Sequence, residues 1–204
     1  MKRFIQQNIY YYSCFLFLLL LGGVLLLLYS KEEVTLWVNA GYSTFTDYFF
    51  WTTDWIGTLW FSIAFILGLW IWKSRKIALS AFACFTLTAI VVQFLKYIVF
   101  PGAPRPVLYF EGIADLRLLD YVIQLETESF PSGHTAAAFS IATFLALLLP
   151  KKQLHGLFIL LAVCVGYGRI YLSQHFITDV YVGMSIGVIV TTLTYYYINK
   201  FSPN

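Results

Sequence analysis

Three short stretches of the sequence carry polar side chains whose types and spacing suit phosphate chemistry. In chain order they are KYIVFPGAPRP (residues 96–106), FPSGH (130–134) and GRIYLSQHFITDV (168–180). Each stands at the end of a long apolar run. Ionisable side chains beside an apolar, membrane-like segment are costly, and by default they are candidates for a functional site. We therefore expect the three stretches to meet in one site.

The stretch FPSGH has the residue types of a helix start that binds an anion. Pro131 sets the entry into a helix, and Ser132 can cap it. Gly133 lets a ligand approach the backbone closely. The free N–H groups and the positive end of the helix dipole then favour a phosphate. For this stretch alone, the alternative is an ordinary capped helix with His134 at the membrane interface.

The stretch GRIYLSQHFITDV pairs an imidazole with a carboxylate. His175 and Asp179 are four residues apart, so on a helix they share one face. The carboxylate can then hold one ring nitrogen as a donor, which leaves the other nitrogen as a nucleophile or base. Arg169 adds a planar guanidinium that suits phosphate oxygens. The alternative is a structural ion pair between Arg169 and Asp179, with His175 as a bystander.

The stretch KYIVFPGAPRP adds Lys96 and Arg105, followed by Pro106, in a proline-rich loop. The prolines prevent this loop from continuing a helix, so it can fold back over the same face as the other two stretches. The alternative is a membrane flank whose cations reach the interface. Together the three stretches supply permanent positive charges, a helix N-terminus, and two histidines with one carboxylate. This combination indicates phosphoryl chemistry.

The elements that must position these residues are apolar helices. The chain has 204 residues, of which 60% are hydrophobic and 11% charged, and its mean hydropathy is +0.76. Soluble domains are rarely so apolar. About 20 uncharged residues cross the hydrocarbon core as a helix, and six runs are candidates: 9–29, 56–72, 77–95, 135–149, 157–171 and 176–198. We expect an all-α, polytopic membrane protein with six transmembrane helices, folded as a single domain over residues 1–204.

The distribution of charge predicts the topology. If the N-terminus is cytoplasmic, the cytoplasmic segments hold eight basic residues against five on the outer side, which satisfies the positive-inside tendency. Both termini are then cytoplasmic, and the three polar stretches lie at the outer face. All ten acidic residues fall in outer segments or at their edges. The net charge of +3 gives no reason to expect a nucleic acid as a partner.

The order K…RP, then PSGH, then R-x5-H-x3-D resembles the type 2 phosphatidic acid phosphatase (PAP2) superfamily, whose membrane members carry their catalytic motifs at one membrane face. The resemblance covers residues 96–179. Two departures stand out. The lysine and arginine of the first motif are further apart than usual, and the dipeptide Pro101-Gly102 can loop out the extra length. A glycine precedes Arg169 where serine is common. The first departure leaves the role of Lys96 open.

The resemblance implies a role for each motif residue. His175 would attack the phosphorus and form a phosphohistidine, Asp179 would orient His175, and His134 would protonate the leaving oxygen. Water would then hydrolyse the phosphoenzyme. The phosphate oxygens would be held by the remaining motif residues, which are Lys96, Arg105, Ser132, Gly133 and Arg169. The motifs contain no clustered carboxylates or Cys/His ligand sets, so we expect no metal and no other cofactor.

The expected substrate is a membrane lipid that carries a phosphate. A pocket at the membrane edge suits an amphiphile whose tail stays in the lipid; undecaprenyl pyrophosphate, phosphatidylglycerophosphate, phosphatidic acid and a lipid A phosphate are all candidates. We expect the protein in a bacterial inner membrane, with its site facing the periplasm or exterior. Two alternatives stay open: a lipid phosphotransferase that uses the same histidine, and an anion or lipid transporter without hydrolysis. The sequence does not indicate an oligomeric state.

Three further parts of the chain have less specific patterns. Residues 111–129 carry apolar side chains at helical spacing among five acids, which predicts either an interfacial helix over the pocket or a solvated connector. Residues 31–55 form an outer segment that can cover the site. His155 follows two lysines on the cytoplasmic side, and we interpret it as a loop residue.

Overall fold

The computed structural model describes residues 1–149 and 151–201, and within these residues the chain forms ten α-helices and no strand. The helices are α1 (Lys2–Gln7), α2 (Ile9–Leu28), α3 (Lys31–Ala40), α4 (Thr44–Asp54), α5 (Leu59–Trp72), α6 (Arg75–Phe94), α7 (Pro106–Tyr109), α8 (Gly133–Leu148), α9 (Gln153–Tyr171) and α10 (Ile177–Phe201). A 3₁₀ turn, Trp55–Gly57, separates α4 from α5, and a π-helical turn, Leu95–Val99, extends α6. The expected all-α fold is confirmed.

Four helices in the described part of the chain are long and apolar enough to cross a membrane: α2, α6 with its π-helical extension, α9 and α10. The segments of α4 and α5 pass the same test together, but they are bent by 59° where they meet. They therefore add at most a fifth span. α8 is apolar but has only 16 residues, and at 1.5 Å per residue it is shorter than the hydrocarbon core of about 30 Å. Length and composition thus support four to five of the six expected spans.

Helix boundaries follow local capping. α8 begins directly after its N-cap Ser132, as the FPSGH stretch predicts. α5 begins three residues later than expected, because the Thr58 side chain caps it by accepting from the Phe61 N–H at 3.1 Å. α9 begins four residues ahead of the predicted run. His155 is therefore a buried helical residue, and its interpretation as a loop residue is wrong.

Helices α8 and α10 pack at close range through Gly183 and Gly187, which are one helical turn apart on α10. A Cβ atom on Gly183 would lie 2.5 Å from the Ser132 carbonyl oxygen, and one on Gly187 would lie 2.4 Å from the Ala136 carbonyl oxygen. Small residues commonly permit such close approach between helices in membranes. The Ser132 N–H also donates to the Asp179 carbonyl oxygen at 3.0 Å. These contacts fix the start of α8 against the start of α10.

Residues 31–55, expected as an outer segment that can cover the site, form α3 and α4. Each of these helices begins with a capping box, which explains why it starts there. The Asp47 carboxylate on α4 accepts from the Arg117 guanidinium at 2.9 Å, and the Asn39 side chain on α3 accepts from the Arg117 N–H at 2.9 Å. Phe50 of α4 packs against α9. The two helices therefore cover one end of α9.

Residues 111–129 form turns and irregular backbone, so the interfacial-helix alternative is wrong. Their apolar residues do not form a buried face, since Ile113 and Ile123 are 71% and 83% exposed. The end of the segment is held instead by the proline-rich loop, where the Arg105 N–H donates to the Glu126 carbonyl oxygen at 2.7 Å. This pairing with another part of the chain replaces the hydrogen bonds that a helix would make within itself.

Candidate active site

A cavity of about 390 Å³ brings together residues of all three polar stretches. It lies where the π-helical turn after α6, the start of α8 and the end of α9 meet. The motif residues that line it are Lys96, Arg105, Gly133, His134, Arg169 and His175. Two further motif residues, Ser132 and Asp179, do not line the cavity and are buried. The structure therefore gathers the motif residues at a single place.

His175 lies in the turn between α9 and α10 rather than on a helix. Its Nδ1 is 3.3 Å from Asp179 Oδ2, and the same oxygen accepts from the Phe176 N–H at 3.0 Å. The four-residue spacing thus works through the first turn of α10 and not through a shared helix face, which corrects the expectation. His175 is 1% exposed, and its Nε2 is 3.3 Å from Arg105 Nη1. With Nδ1 held by the carboxylate, Nε2 faces a cation that can bind phosphate.

Ser129 supports the same carboxylate, and sequence reasoning missed it. Its hydroxyl donates to Asp179 Oδ2 at 2.5 Å and lies 3.4 Å from His175 Nδ1. Ser129 is 1% exposed, so this charge-assisted hydrogen bond is shielded from water. The signal that could have pointed to Ser129 is its position directly before FPSGH.

Lys96 and Arg105 converge on one backbone carbonyl despite their longer spacing. The Glu128 carbonyl oxygen accepts from Lys96 Nζ at 2.5 Å and from Arg105 Nη2 at 3.3 Å. The intervening residues turn at Gly102, whose φ of +71° costs glycine little. The Gly102 N–H also donates to the Glu128 carboxylate at 3.1 Å. The longer spacing therefore leaves Lys96 beside Arg105 at the cavity.

Arg169 is held by Asp54, a residue outside every motif. Arg169 Nη1 lies 2.8 and 2.9 Å from the two Asp54 carboxylate oxygens. Asp54 Oδ2 also lies 3.6 Å from His134 Nε2. The alternative of an Arg169–Asp179 ion pair is therefore wrong, because the carboxylate that pairs with Arg169 comes from the end of α4. Asp54 precedes Arg169 by 115 residues, and nothing local in the sequence marks it.

Gln174 links the two arginines of the cavity, and sequence reasoning missed this residue as well. Its side-chain Oε1 accepts from Arg169 Nη2 at 3.3 Å, and its backbone carbonyl accepts from Arg105 Nη1 at 2.9 Å. Gln174 is 2% exposed. The guanidinium groups are thus oriented by the protein itself, as preorganised electrostatic stabilisation requires. Its place directly before His175 is the only sequence signal for this role.

Ser132 has a different role from the one the motif implies. Its hydroxyl caps α8, accepting from the Thr135 N–H at 3.4 Å, and its own N–H donates to the Asp179 carbonyl oxygen. Ser132 is fully buried and does not line the cavity. Its backbone N–H is therefore engaged within the protein rather than directed at a phosphate. Gly133 does line the cavity and stands at the first position of α8, where N–H groups have no partner within the helix.

His134 lines the cavity and is in close contact with Gly57. A Cβ atom on Gly57 would lie 2.6 Å from His134 Cβ, so the turn Trp55–Gly57 and the start of α8 are in tight contact. The His134 side chain is 32% exposed, in contrast to the buried His175. Partial exposure suits a group that exchanges a proton with a substrate and with water.

The electrostatics of the cavity favour a neutral His175 among charged arginines. Burial is the main cause that holds the pKa of His175 well below 6.5, and Arg169, Arg105 and Lys96 lower it further. Burial, followed by Arg169, lowers the pKa of Arg105 to about 10. At neutral pH His175 therefore keeps the lone pair of a nucleophile, while Arg105 keeps its charge.

In the described residues, no group of three or more His, Cys, Asp or Glu side chains is arranged to hold a metal ion. The cavity presents ammonium, guanidinium and imidazole groups, and these bind phosphate oxygens directly.

Two of the proteins that are similar to the chain in sequence are phosphatases. The chain is 43% identical over 70 residues to phosphatidylglycerophosphatase B of Bacillus subtilis (strain 168), which covers 30% of this chain and 34% of that protein. It is 28% identical over 142 residues to the lipid A 4'-phosphatase of Porphyromonas gingivalis, which covers 66% of this chain and 58% of that protein. The chain therefore aligns with about a third of the first relative and somewhat more than half of the second.

Two crystal structures are similar in fold. The structure of Aquifex aeolicus LpxE matches with a TM-score of 0.72 and 31% identity, covering 81% of this chain and 94% of that one. The structure of the transmembrane PAP2-type phosphatidylglycerolphosphate phosphatase from Bacillus subtilis matches with a TM-score of 0.70 and 25% identity, covering 95% and 98%. The fold is thus shared over nearly the whole length of both proteins.

The sequence profile of the PAP2 superfamily matches residues 77–203. This range is more than half of the chain, and it contains every motif residue of the cavity. It leaves out α4, and with it Asp54. The motifs, the fold and the profile agree, and the chain belongs to the PAP2 superfamily.

Proposed function

We propose that this protein is an integral-membrane lipid phosphatase that hydrolyses a phosphomonoester or pyrophosphate of a membrane lipid through a phosphohistidine. The observation that carries the proposal is the setting of His175. Its Nδ1 lies against the Asp179 carboxylate, and its Nε2 lies 3.3 Å from Arg105 at a cavity that Arg169 also lines. A neutral imidazole held in this way is a nucleophile with its orienting group in place.

In the first step, His175 Nε2 attacks the phosphorus, and the bond from phosphorus to the lipid oxygen breaks. Asp179 stabilises the positive charge that develops on the ring, as a carboxylate does for the imidazole of a catalytic triad. The cations Lys96, Arg105 and Arg169 stabilise the charge on the equatorial phosphate oxygens, which is the main task in phosphoryl transfer. The Gly133 N–H and the start of α8 add a donor to the same oxygens.

His134 completes both halves of the reaction. It gives a proton to the departing lipid oxygen, and in the second step it takes a proton from the attacking water. That water forms a new bond to phosphorus, and the bond from His175 to phosphorus breaks. Inorganic phosphate leaves, and both histidines return to their starting protonation. The exposed position of His134 at the cavity supports this exchange.

The surroundings of the cavity support a lipid as the substrate. Val92 and Tyr97, on α6 and its π-helical extension, line the cavity. Next to them, Phe94 and Ile98 are 54% and 68% exposed on helices apolar enough to lie in a membrane. A lipid tail can stay along this apolar surface while the phosphate reaches the cations. The names of both sequence relatives, a phosphatidylglycerophosphatase and a lipid A phosphatase, agree with this class of substrate.

We further propose a bacterial inner membrane with the cavity at its outer face. This location is supported by the basic residues in the turns at the other end of the bundle, between α5 and α6 and between α8 and α9. The site residues keep the assignments of the sequence analysis except for Ser132, whose contacts support a structural role.

The proposal is tested by phosphate release from purified protein in detergent, with EDTA present. The panel contains undecaprenyl pyrophosphate, phosphatidylglycerophosphate, phosphatidic acid and a lipid A phosphate. Release that persists in EDTA and disappears in His175→Ala supports a metal-independent histidine phosphatase. His155→Ala is the matched control, because His155 is buried on α9 and does not line the cavity. Release that survives in His175→Ala contradicts the proposal.

The same assay separates the two other functions. Loss of the lipid phosphate without free phosphate, together with a newly phosphorylated acceptor lipid, identifies a phosphotransferase. Movement of an anion across proteoliposomes without phosphate release identifies a transporter. Each of these outcomes replaces hydrolysis as the account of the cavity.

A further inference from the structure

Asp54 contacts two residues of the proposed reaction from outside the range that the family profile matches. Its carboxylate binds Arg169 Nη1 through both oxygens, and one of them lies 3.6 Å from His134 Nε2. Asp54 ends α4, upstream of the residues that the family profile matches. The Asp54 side chain is 20% exposed and the Arg169 side chain 6%, so this pairing is largely shielded from water.

The proposed first step needs a proton at the leaving oxygen. An alkoxide leaves phosphorus poorly, so a general acid must protonate the oxygen as the bond breaks. The candidate acid, His134, lines the cavity, where burial is the main cause that lowers its pKa to about 4, and the cations Arg169, Arg105 and Lys96 lower it further. The Asp54 carboxylate stands at ion-pair distance from the ring and favours its protonated form.

The position of Asp54 is fixed by its neighbours. Phe50, one turn earlier on α4, lies against Gly168, which immediately precedes Arg169. The turn after Asp54 brings Gly57 against His134, where even a Cβ atom would clash. The carboxylate is therefore held between the arginine and the histidine by close packing on both sides.

We propose that Asp54 is a positioning residue that favours the protonated form of His134 toward the leaving oxygen and orients Arg169 for the phosphate. The inference rests on the proposed function. It gives the cavity two carboxylate–imidazole pairs with different tasks. Asp179 supports the nucleophile His175, whereas Asp54 supports the acid His134.

The test compares leaving groups in Asp54→Asn. Turnover is measured on an alkyl lipid phosphate, whose oxygen must be protonated, and on p-nitrophenyl phosphate, whose leaving group needs little protonation. General acid catalysis contributes about 100-fold or more, so we expect kcat for the alkyl substrate to fall roughly 100-fold and kcat for the aryl substrate to fall far less. A changed Arg169 alone would lower both rates by the same factor.

Asp47→Asn is the matched control. Asp47 lies on the same helix, receives the same chemical change, and pairs with Arg117 instead of a cavity residue. We expect Asp47→Asn to leave the ratio of the two rates unchanged. His134→Ala should change the ratio as Asp54→Asn does, and the double variant should change it no further. Asp54→Glu, which keeps the charge, should restore part of the ratio.

The possible outcomes separate this inference from the proposed function. If Asp54→Asn lowers both rates equally, or lowers neither, Asp54 does not support the acid and the inference is overturned while the phosphatase stands. If the wild-type protein releases phosphate from neither substrate, the proposed function and the inference both fail. Folding of each variant is checked by thermal unfolding, and Asp54→Ala replaces Asp54→Asn in the rate comparison if the latter does not fold.

Discussion

Replacement of Ser129 by alanine removes a hydroxyl that binds Asp179, the carboxylate that supports the proposed nucleophile His175. Ser129 Oγ donates to Asp179 Oδ2 at 2.5 Å, in a place where both residues are almost fully buried. The carboxylate keeps the Phe176 N–H at 3.0 Å and His175 Nδ1 at 3.3 Å. Ser129→Ala should therefore leave Asp179 in place but less firmly held.

The size of the effect follows from the charge on the acceptor. A hydrogen bond to a charged group contributes about 1.5–3 kcal/mol. If most of this energy serves to orient Asp179 toward His175 in the transition state, kcat falls roughly 10- to 150-fold, at 1.36 kcal/mol for each factor of ten. KM should change little, because Ser129 does not line the cavity.

The assay is steady-state phosphate release from a lipid substrate, with thermal unfolding measured in parallel. Ser140→Ala is the control, since Ser140 is equally buried and its hydroxyl lies 2.5 Å from Thr191 Oγ1 instead of a residue of the site. We expect Ser140→Ala to reduce stability by about 1 kcal/mol with kcat unchanged. A Ser129→Ala protein that retains wild-type kcat would refute the reasoning that this hydroxyl helps to hold the nucleophile.

Three further predictions concern packing and pH. Gly187→Ala should destabilise the protein by about 1–3 kcal/mol, because the new Cβ atom would lie 2.4 Å from the Ala136 carbonyl oxygen. The loss is measured as a lower unfolding temperature. An unchanged unfolding temperature would contradict the close packing of α8 and α10. Gly57→Ala should displace His134 and reduce kcat roughly 100-fold in a protein that still folds; an unchanged kcat would show that the turn does not place His134. Burial is the main cause that lowers the pKa of His175, so the reactive neutral form of the ring persists as the pH falls through 6.5. The acidic limb of the pH profile of kcat/KM should therefore have its midpoint below pH 6.5. A midpoint at or above pH 6.5 would contradict this prediction.

Local patterns in the sequence predicted the parts of the site that depend on local structure. Proline, serine and glycine in FPSGH predicted the start of α8, because N-capping acts over a few residues. The spacing of His175 and Asp179 predicted their contact, although a turn and a helix start produce it instead of one continuous helix. The apolar spacing in residues 111–129 predicted a helix that does not form, because this segment bonds to the proline-rich loop.

Contacts between distant parts of the chain could not be predicted in this way. Asp54 reaches Arg169 only because α4 packs on α9, and no local pattern reports that packing. Similarly, the Ser132 N–H is taken by Asp179 because Gly183 lets α10 approach α8. The sequence identified the groups that bear the chemistry, whereas the fold determines which of them face the cavity and which support it.

The most direct test of the central claim is to trap the covalent intermediate. The protein is mixed with a lipid phosphate, quenched in alkali after less than one turnover, and digested for mass spectrometry. We predict a phosphoryl group on His175. A phosphoryl group on any other residue, or turnover by His175→Ala, would contradict the account.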